Sequence, residues 1–271
     1  MPAAYPGSEP IAAPRRPVDD FVTLILIGGA SYVAAAVAHE TIGHGLATVL
    51  TGGKVLLFSS VHILTGRSTR FIDIAGPTNN LIAGALFWVL LRRLRQASAA
   101  SRLFLWLAMA RNLFWGTGYM LYSGVLGAGD WLSLIKGLQP GWLWVLLLEL
   151  TGAVTYGLAA LLAAREARCF AMSTPRLWRV IAVTYLAGGA VACAAAALDP
   201  NGAAWAILDN AAPASLLAGV GFFAVPWLRL RLAGDVRAAD TDEVKASVGW
   251  ILVGVAAIIG FVSILGPGLV P

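Results

Sequence analysis

The stretch Ala38-His39-Glu40-Thr41-Ile42-Gly43-His44-Gly45 holds two of the chain's three histidines, with a carboxylate directly after the first. It lies in the second half of an apolar run that opens at Phe21. Ionisable side chains inside a membrane-length helix are expensive, and where they occur they mark function. A lone membrane histidine is ordinarily satisfied by neighbouring backbone or hydroxyls. A His-Glu pair followed closely by a second His points instead to zinc-dependent hydrolysis, in which imidazoles hold the metal and the glutamate takes a proton from the attacking water. His39 and His44 are therefore read as metal ligands and Glu40 as the catalytic base.

The spacing departs from His-Glu-x-x-His, whose ligands stand at i and i+4 on one helix face. Here the second histidine is at i+5, about 140° around an ideal helix from the first. Both rings can reach one ion only if the helix carries a widened turn between them, a distortion frequent at functional sites. Gly43 would ease it.

The elements that must hold these residues are membrane helices. Of 271 residues, 59% are hydrophobic and 12% charged, and the mean hydropathy is +0.78; a soluble domain carries roughly 25% charged residues. Apolar runs of about 20 residues predict seven helices, over 20–50, 72–92, 102–122, 141–164, 177–198, 204–228 and 247–267. The expected fold is an all-α polytopic bundle with a small β-element after the first helix. It divides into a polar tail (1–19) without a signal-peptide core, a three-helix core (20–139) and a four-helix C-terminal membrane region (140–271). Cys169 and Cys193 have no motif spacing and form no metal or disulfide framework.

The net charge of +5 comes from arginines in loops, so it speaks to membrane topology and not to nucleic acid. Fourteen Lys and Arg residues fall on one side of the predicted helices: Arg15 and Arg16, Arg92 to Arg102, Arg165 to Arg179, and Arg229 to Lys245. Four fall on the other side, namely Lys54, Arg67, Arg70 and Lys136. The positive-inside rule then places the N-terminus in the cytoplasm and the C-terminus outside.

Gly52-Gly53-Lys54 breaks the first helix, and residues 55–64 are apolar and β-branched enough for one or two short strands. His62 in this stretch reads as a strand or surface residue. Next comes Phe71-Ile72-Asp73-Ile74-Ala75-Gly76-Pro77-Thr78-Asn79-Asn80-Leu81. Pro77 is compatible with the first turn of the second helix. Asn79 and Asn80 read either as interhelical hydrogen-bonding residues or as a polar wall of the site.

His39-Glu40 with His44 on one membrane helix, a β-rich stretch, and Gly76-Pro77-x-x-Asn80 opening the next helix together resemble the site-2 protease family of intramembrane zinc metalloproteases. The resemblance covers about residues 30–135, half the chain. It implies a three-helix core, Zn²⁺ as cofactor, Glu40 as catalytic residue, and a Gly-Pro-x-x-Asn segment in which Asn80 and Asn79 position the substrate. It also implies an aspartate ligand from the third core helix. The family's Leu-Asp-Gly is missing here; the aspartate in the corresponding place is Asp130, in Ser123-Gly124-Val125-Leu126-Gly127-Ala128-Gly129-Asp130-Trp131. Asp130 is the expected third ligand, freed by its glycines; the alternative for it is a cap on the following helix. His62, Asp73 and Asp209 remain further candidates for the third ligand. The partners implied are the lipid bilayer and membrane-embedded protein substrates that must unwind to expose a peptide bond, with no nucleic acid. The oligomeric state cannot be read from the chain.

Two rival readings stand beside this one: a membrane metalloenzyme acting on a lipid or small amphiphile, and a non-enzymatic transporter or scaffold. Elsewhere, Arg111 and Glu149 lie mid-membrane and are expected to pair. The mixed-charge segment 229–246 reads as a solvated loop.

Overall fold

The computed structural model describes residues 18–233 and 242–270; most of the polar tail lies outside them. In chain order the elements are α1 (Phe21–Leu50), β1 (Val55–Phe58), β2 (Ile63–Thr65), α2 (Arg70–Arg93), α3 (Ala99–Leu126) and α4 (Asp130–Ile135). They continue with α5 (Gly141–Cys169), α6 (Thr174–Ala196), α7 (Ala203–Leu232) and α8 (Val248–Leu265). The protein is an all-α polytopic bundle. Among the described residues, six helices are long and apolar enough to cross a membrane: α1, α2, α5, α6, α7 and α8. The remaining long helix, α3, is 28 residues and holds Arg102, Arg111, Asn112 and a run of Gly, Trp and Tyr. It tolerates them because its residues from Leu103 to Thr117 are almost all buried among the other helices.

Side-chain caps set where helices begin. Asp20, Thr69, Ser98 and Ser247 each accept a hydrogen bond from a backbone N–H three residues on, at the starts of α1, α2, α3 and α8. α2 begins at Arg70, so Pro77 lies inside the helix and not in its first turn. A proline there removes one backbone donor.

One apolar core runs through the predicted boundary at 139–140. Leu24 and Ile27 of α1, Leu103 to Ala110 of α3, Ala159 to Ala164 of α5, Leu177 to Ile181 of α6 and Phe222 of α7 belong to a single buried cluster. Trp106 reaches across it, its indole N–H donating to Ala163 O at 2.9 Å.

The β-element is a two-stranded antiparallel hairpin, with Val55 opposite Thr65 and Phe58 opposite Ile63. Phe58 also exchanges backbone hydrogen bonds with Leu269, at 2.8 Å each way. The hairpin is thus fastened to the chain just beyond α8.

Two further expectations fail. Arg111 does not pair with Glu149. Its Nε donates to Ser31 Oγ at 3.0 Å and its Nη2 to Thr184 O at 2.7 Å, with the guanidinium over the Phe222 ring at 5.4 Å. Glu149 packs instead against Gly124, on the face α5 shares with α3. Both side chains were placed mid-membrane by their positions along their helices, but they face different neighbours. The end of the 229–246 segment is also not free in solvent. Val244 is buried, its backbone meets Asp20 and Asp19, and Asp242 accepts from Arg102 at 3.0 Å.

Candidate metal centre

The middle of α1 is not a regular α-helix. From Val37 to Gly45 its turns are widened to the i→i+5 pattern, and the Leu46 N–H still reaches back to Thr41 O. A turn that closes on the fifth residue brings residues five apart onto one face. His39 Nε2 and His44 Nε2 stand 3.2 Å from each other as a result.

α2 holds both rings from behind. His44 Nδ1 donates to Ile72 O at 2.7 Å, and His39 Nδ1 donates to Asn80 Oδ1 at 2.6 Å. The orientation of the Asn80 amide is fixed independently, since its Nδ2 donates to Ala35 O (3.0 Å) and Asn112 Oδ1 (2.8 Å). Asn112 in turn donates to Ala108 O. Asn79 donates to Ala38 O at 2.6 Å, gripping the backbone just before His39. Asn80 is wholly buried; the structure places it as the residue that orients His39, and Asn79 as a clamp on α1.

The approach of α1 to α2 needs glycine on both sides. A Cβ on Gly43 would sit 2.5 Å from Gly76 Cα, and a Cβ on Gly76 would fall onto the His44 imidazole. This gives the Gly76-Pro77-x-x-Asn80 segment a steric meaning: Gly76 makes room for one ring and Asn80, one turn on, aims the other.

The third donor comes from beyond α3. Gly127 ends that helix at φ +62° and Gly129 continues the turn at φ +91°, conformations that favour glycine. α4 then begins at Asp130, with the Trp131 indole anchored to Gly116 O at 3.0 Å. Asp130 Oδ2 lies 3.1 Å from His39 Nε2 and 3.3 Å from His44 Nε2.

With both Nδ1 atoms donating, each neutral ring turns an Nε2 lone pair toward the Asp130 carboxylate. Three electron-rich atoms that meet in this way require a cation or a shared proton between them. Among the described residues, His39, His44 and Asp130 form one group that could hold a metal ion, their ligand atoms all lying within 4.8 Å of one another.

Glu40 lines the same cavity, of about 300 Å³, together with Tyr119, Asn210 and the hairpin residues His62 to Thr65. Glu40 is only 6% exposed, and its buried Oε2 has no hydrogen-bond partner among the described residues. The other candidates for the third ligand are not in the donor group, although His62 and Asp73 line the same cavity. His62 is engaged with Ser59 Oγ and Asn201 Nδ2, both at 3.0 Å. Asp73 accepts from Ser68 at 2.8 Å, and Asp209 is exposed.

Sequence reading missed the wall that α3 supplies. The Trp115 ring stacks on His39 with centroids 4.9 Å apart, and Tyr119 meets it edge-on at 5.9 Å. Asn112, Trp115 and Tyr119 recur at i, i+3 and i+7, one face of a helix; that periodicity was the signal available.

No protein-family model, curated protein or solved structure matches this chain.

Proposed function

We propose that the protein is an intramembrane zinc metallopeptidase of site-2 protease type, with His39, His44 and Asp130 as zinc ligands and Glu40 as the general base. The observation that carries this reading is the triangle of donor atoms. Zinc binds imidazole nitrogen at about 2.0–2.1 Å and carboxylate oxygen at about 2.0–2.2 Å, so neighbouring donors in a tetrahedral site stand about 3.3–3.4 Å apart. The three separations here, 3.1, 3.2 and 3.3 Å, are of that size. A catalytic zinc site has three protein ligands and one open position.

When bound, the ion would acidify water and polarise a carbonyl. The chain's own residues do the rest. Glu40, buried beside the ligands with one oxygen unpartnered, takes the proton of the attacking water and returns it to the leaving amine. Asn80 holds His39 in the tautomer that presents Nε2, and Ile72 O does the same for His44. Trp115 and Tyr119 keep the imidazole face from solvent. An apolar groove of about 640 Å³ runs between α1 and the hairpin, past Thr41, Gly45, Val55 and Phe58. It suits an unwound segment of a membrane-embedded protein. The arginine asymmetry puts the N-terminus in the cytoplasm and this site in the outer half of the bilayer.

A second reading has its own observation. An apolar cleft of about 330 Å³ between α3, α5 and α7 shares Tyr119 with the metal cavity. It would seat an acyl chain, as a metalloenzyme acting on a lipid requires.

One comparison decides between them. Membranes holding the wild-type protein and membranes holding Glu40→Gln are compared by mass spectrometry of new peptide termini and of lipids. The peptidase reading expects termini inside membrane spans in the wild type alone. A change confined to lipids selects the second reading, and no difference in either removes the enzyme.

A further inference from the structure

α2 and α3 carry a second cluster of charge, far from the metal group. Arg92 lies twelve residues beyond Asn80, about 18 Å along an α-helix, and Arg102 lies near the opposite end of α3 from Tyr119. Around them is a cleft of about 520 Å³, lined by Arg92, Arg95, Arg102, Arg165, Arg168 and Glu166. The arginines come from three helix ends and the loop between two of them.

Two of the five are paired. Arg92 Nη1 lies 2.9 Å from Glu166 Oε1, and Arg102 Nη2 lies 3.0 Å from Asp242 Oδ2. Arg95, Arg165 and Arg168 are exposed and have no ion-pair or hydrogen-bond partner among the described residues. The Arg102 Nε is buried without an acceptor as well. Among the described residues, five arginines and one carboxylate, Glu166, thus line one volume of ligand size, with Asp242 paired to Arg102. The positive-inside bias explains arginines on this side, and helix C-terminal dipoles favour basic residues one at a time. Neither explains why five of them converge on one cleft and three have no acidic partner among the described residues.

We propose that this cleft binds a phosphate-bearing anion, either the headgroup of an anionic phospholipid or a soluble phosphate compound. Arg95, Arg165 and Arg168 are its principal ligands. The guanidinium fork matches phosphate oxygens in pairs, and basic pockets between membrane helices on the cytoplasmic side take anionic headgroups. The bound anion joins the ends of α2, α3 and α5, so it stabilises the folded bundle. This site is independent of the metal chemistry.

The test is thermal unfolding of the full-length protein in neutral detergent. The probes are inorganic pyrophosphate, dioctanoyl phosphatidylglycerol, and dioctanoyl phosphatidylcholine as the zwitterionic control. The proposal expects a concentration-dependent rise in melting temperature with one or both anions, none with phosphatidylcholine, and its loss in the Arg95→Gln/Arg165→Gln/Arg168→Gln variant with bound metal unchanged. A rise with phosphatidylglycerol alone identifies a lipid headgroup; a rise with pyrophosphate alone identifies a soluble source. If the triple variant does not express, Arg95→Gln and Arg168→Gln should each weaken the effective anion by about threefold. No shift with either anion, an equal shift with phosphatidylcholine, or unaltered responses in the variants would overturn it.

Discussion

The Nε2 atoms of His39 and His44 lie 3.2 Å apart although five residues separate them, because α1 widens its turns from Val37 to Gly45. Opening the helix costs regular hydrogen bonding, and the compensation comes from α2. Ile72 O and Asn80 Oδ1 each accept from one ring, and Asn79 donates to Ala38 O. The distorted stretch and the helix behind it form one unit, and α4 adds Asp130 to it.

Gly76→Ala tests that unit sterically. The new methyl would collide with the His44 ring, and a ring that swings away loses its Nδ1 hydrogen bond to Ile72 O. Overpacking of this kind costs about 1–3 kcal/mol. The expected outcome is a lower melting temperature together with loss of bound metal by elemental analysis. A variant that keeps full metal content would show that His44 does not need its present position.

The ligand assignment predicts a pattern across four variants. Asp130→Ala should empty the site, and Asn80→Ala should weaken metal binding by about 10–100-fold by releasing His39. Glu40→Gln and Asp209→Ala should leave metal content unchanged, the first because Glu40 is no ligand and the second because Asp209 lies outside the group. Titration with a competing chelator reads all four. Full occupancy in Asp130→Ala would remove the assignment.

Arg111 and Glu149 should behave as strangers. Their side chains meet different partners, so Arg111→Met and Glu149→Gln should add in a double-mutant cycle to within about 0.5 kcal/mol. A coupling of more than about 1 kcal/mol, read by unfolding in detergent, would mean that the pair forms after all.

The charge asymmetry predicts an orientation that can be tested. Single cysteines at Ser98 and Gly66, in a background lacking Cys169 and Cys193, should label from opposite sides, with position 98 cytoplasmic. Labelling of position 66 from the cytoplasm would invert the protein and place the metal group near the inner surface.

The sequence by itself determined the membrane bundle, because runs of about 20 apolar residues leave a chain no other stable arrangement. It determined the hairpin region too, and it singled out His39, Glu40 and His44, since charge within such runs is too costly to be incidental. The need for a widened turn also followed from the i+5 spacing alone, as a matter of helix geometry. Tertiary structure decided the rest. Among His62, Asp73, Asp130 and Asp209, only packing brings one carboxylate to the histidines, because the Gly127–Gly129 turn and the Trp131 anchor set where α4 starts. The same holds for Asn80, whose residue type is compatible with either a substrate contact or a buried clamp; its three hydrogen bonds to α1 and α3 make it the clamp. The pairing expected of Arg111 failed for a related reason. Depth along a helix can be counted from sequence, but the direction a side chain faces is fixed by which neighbours pack around it.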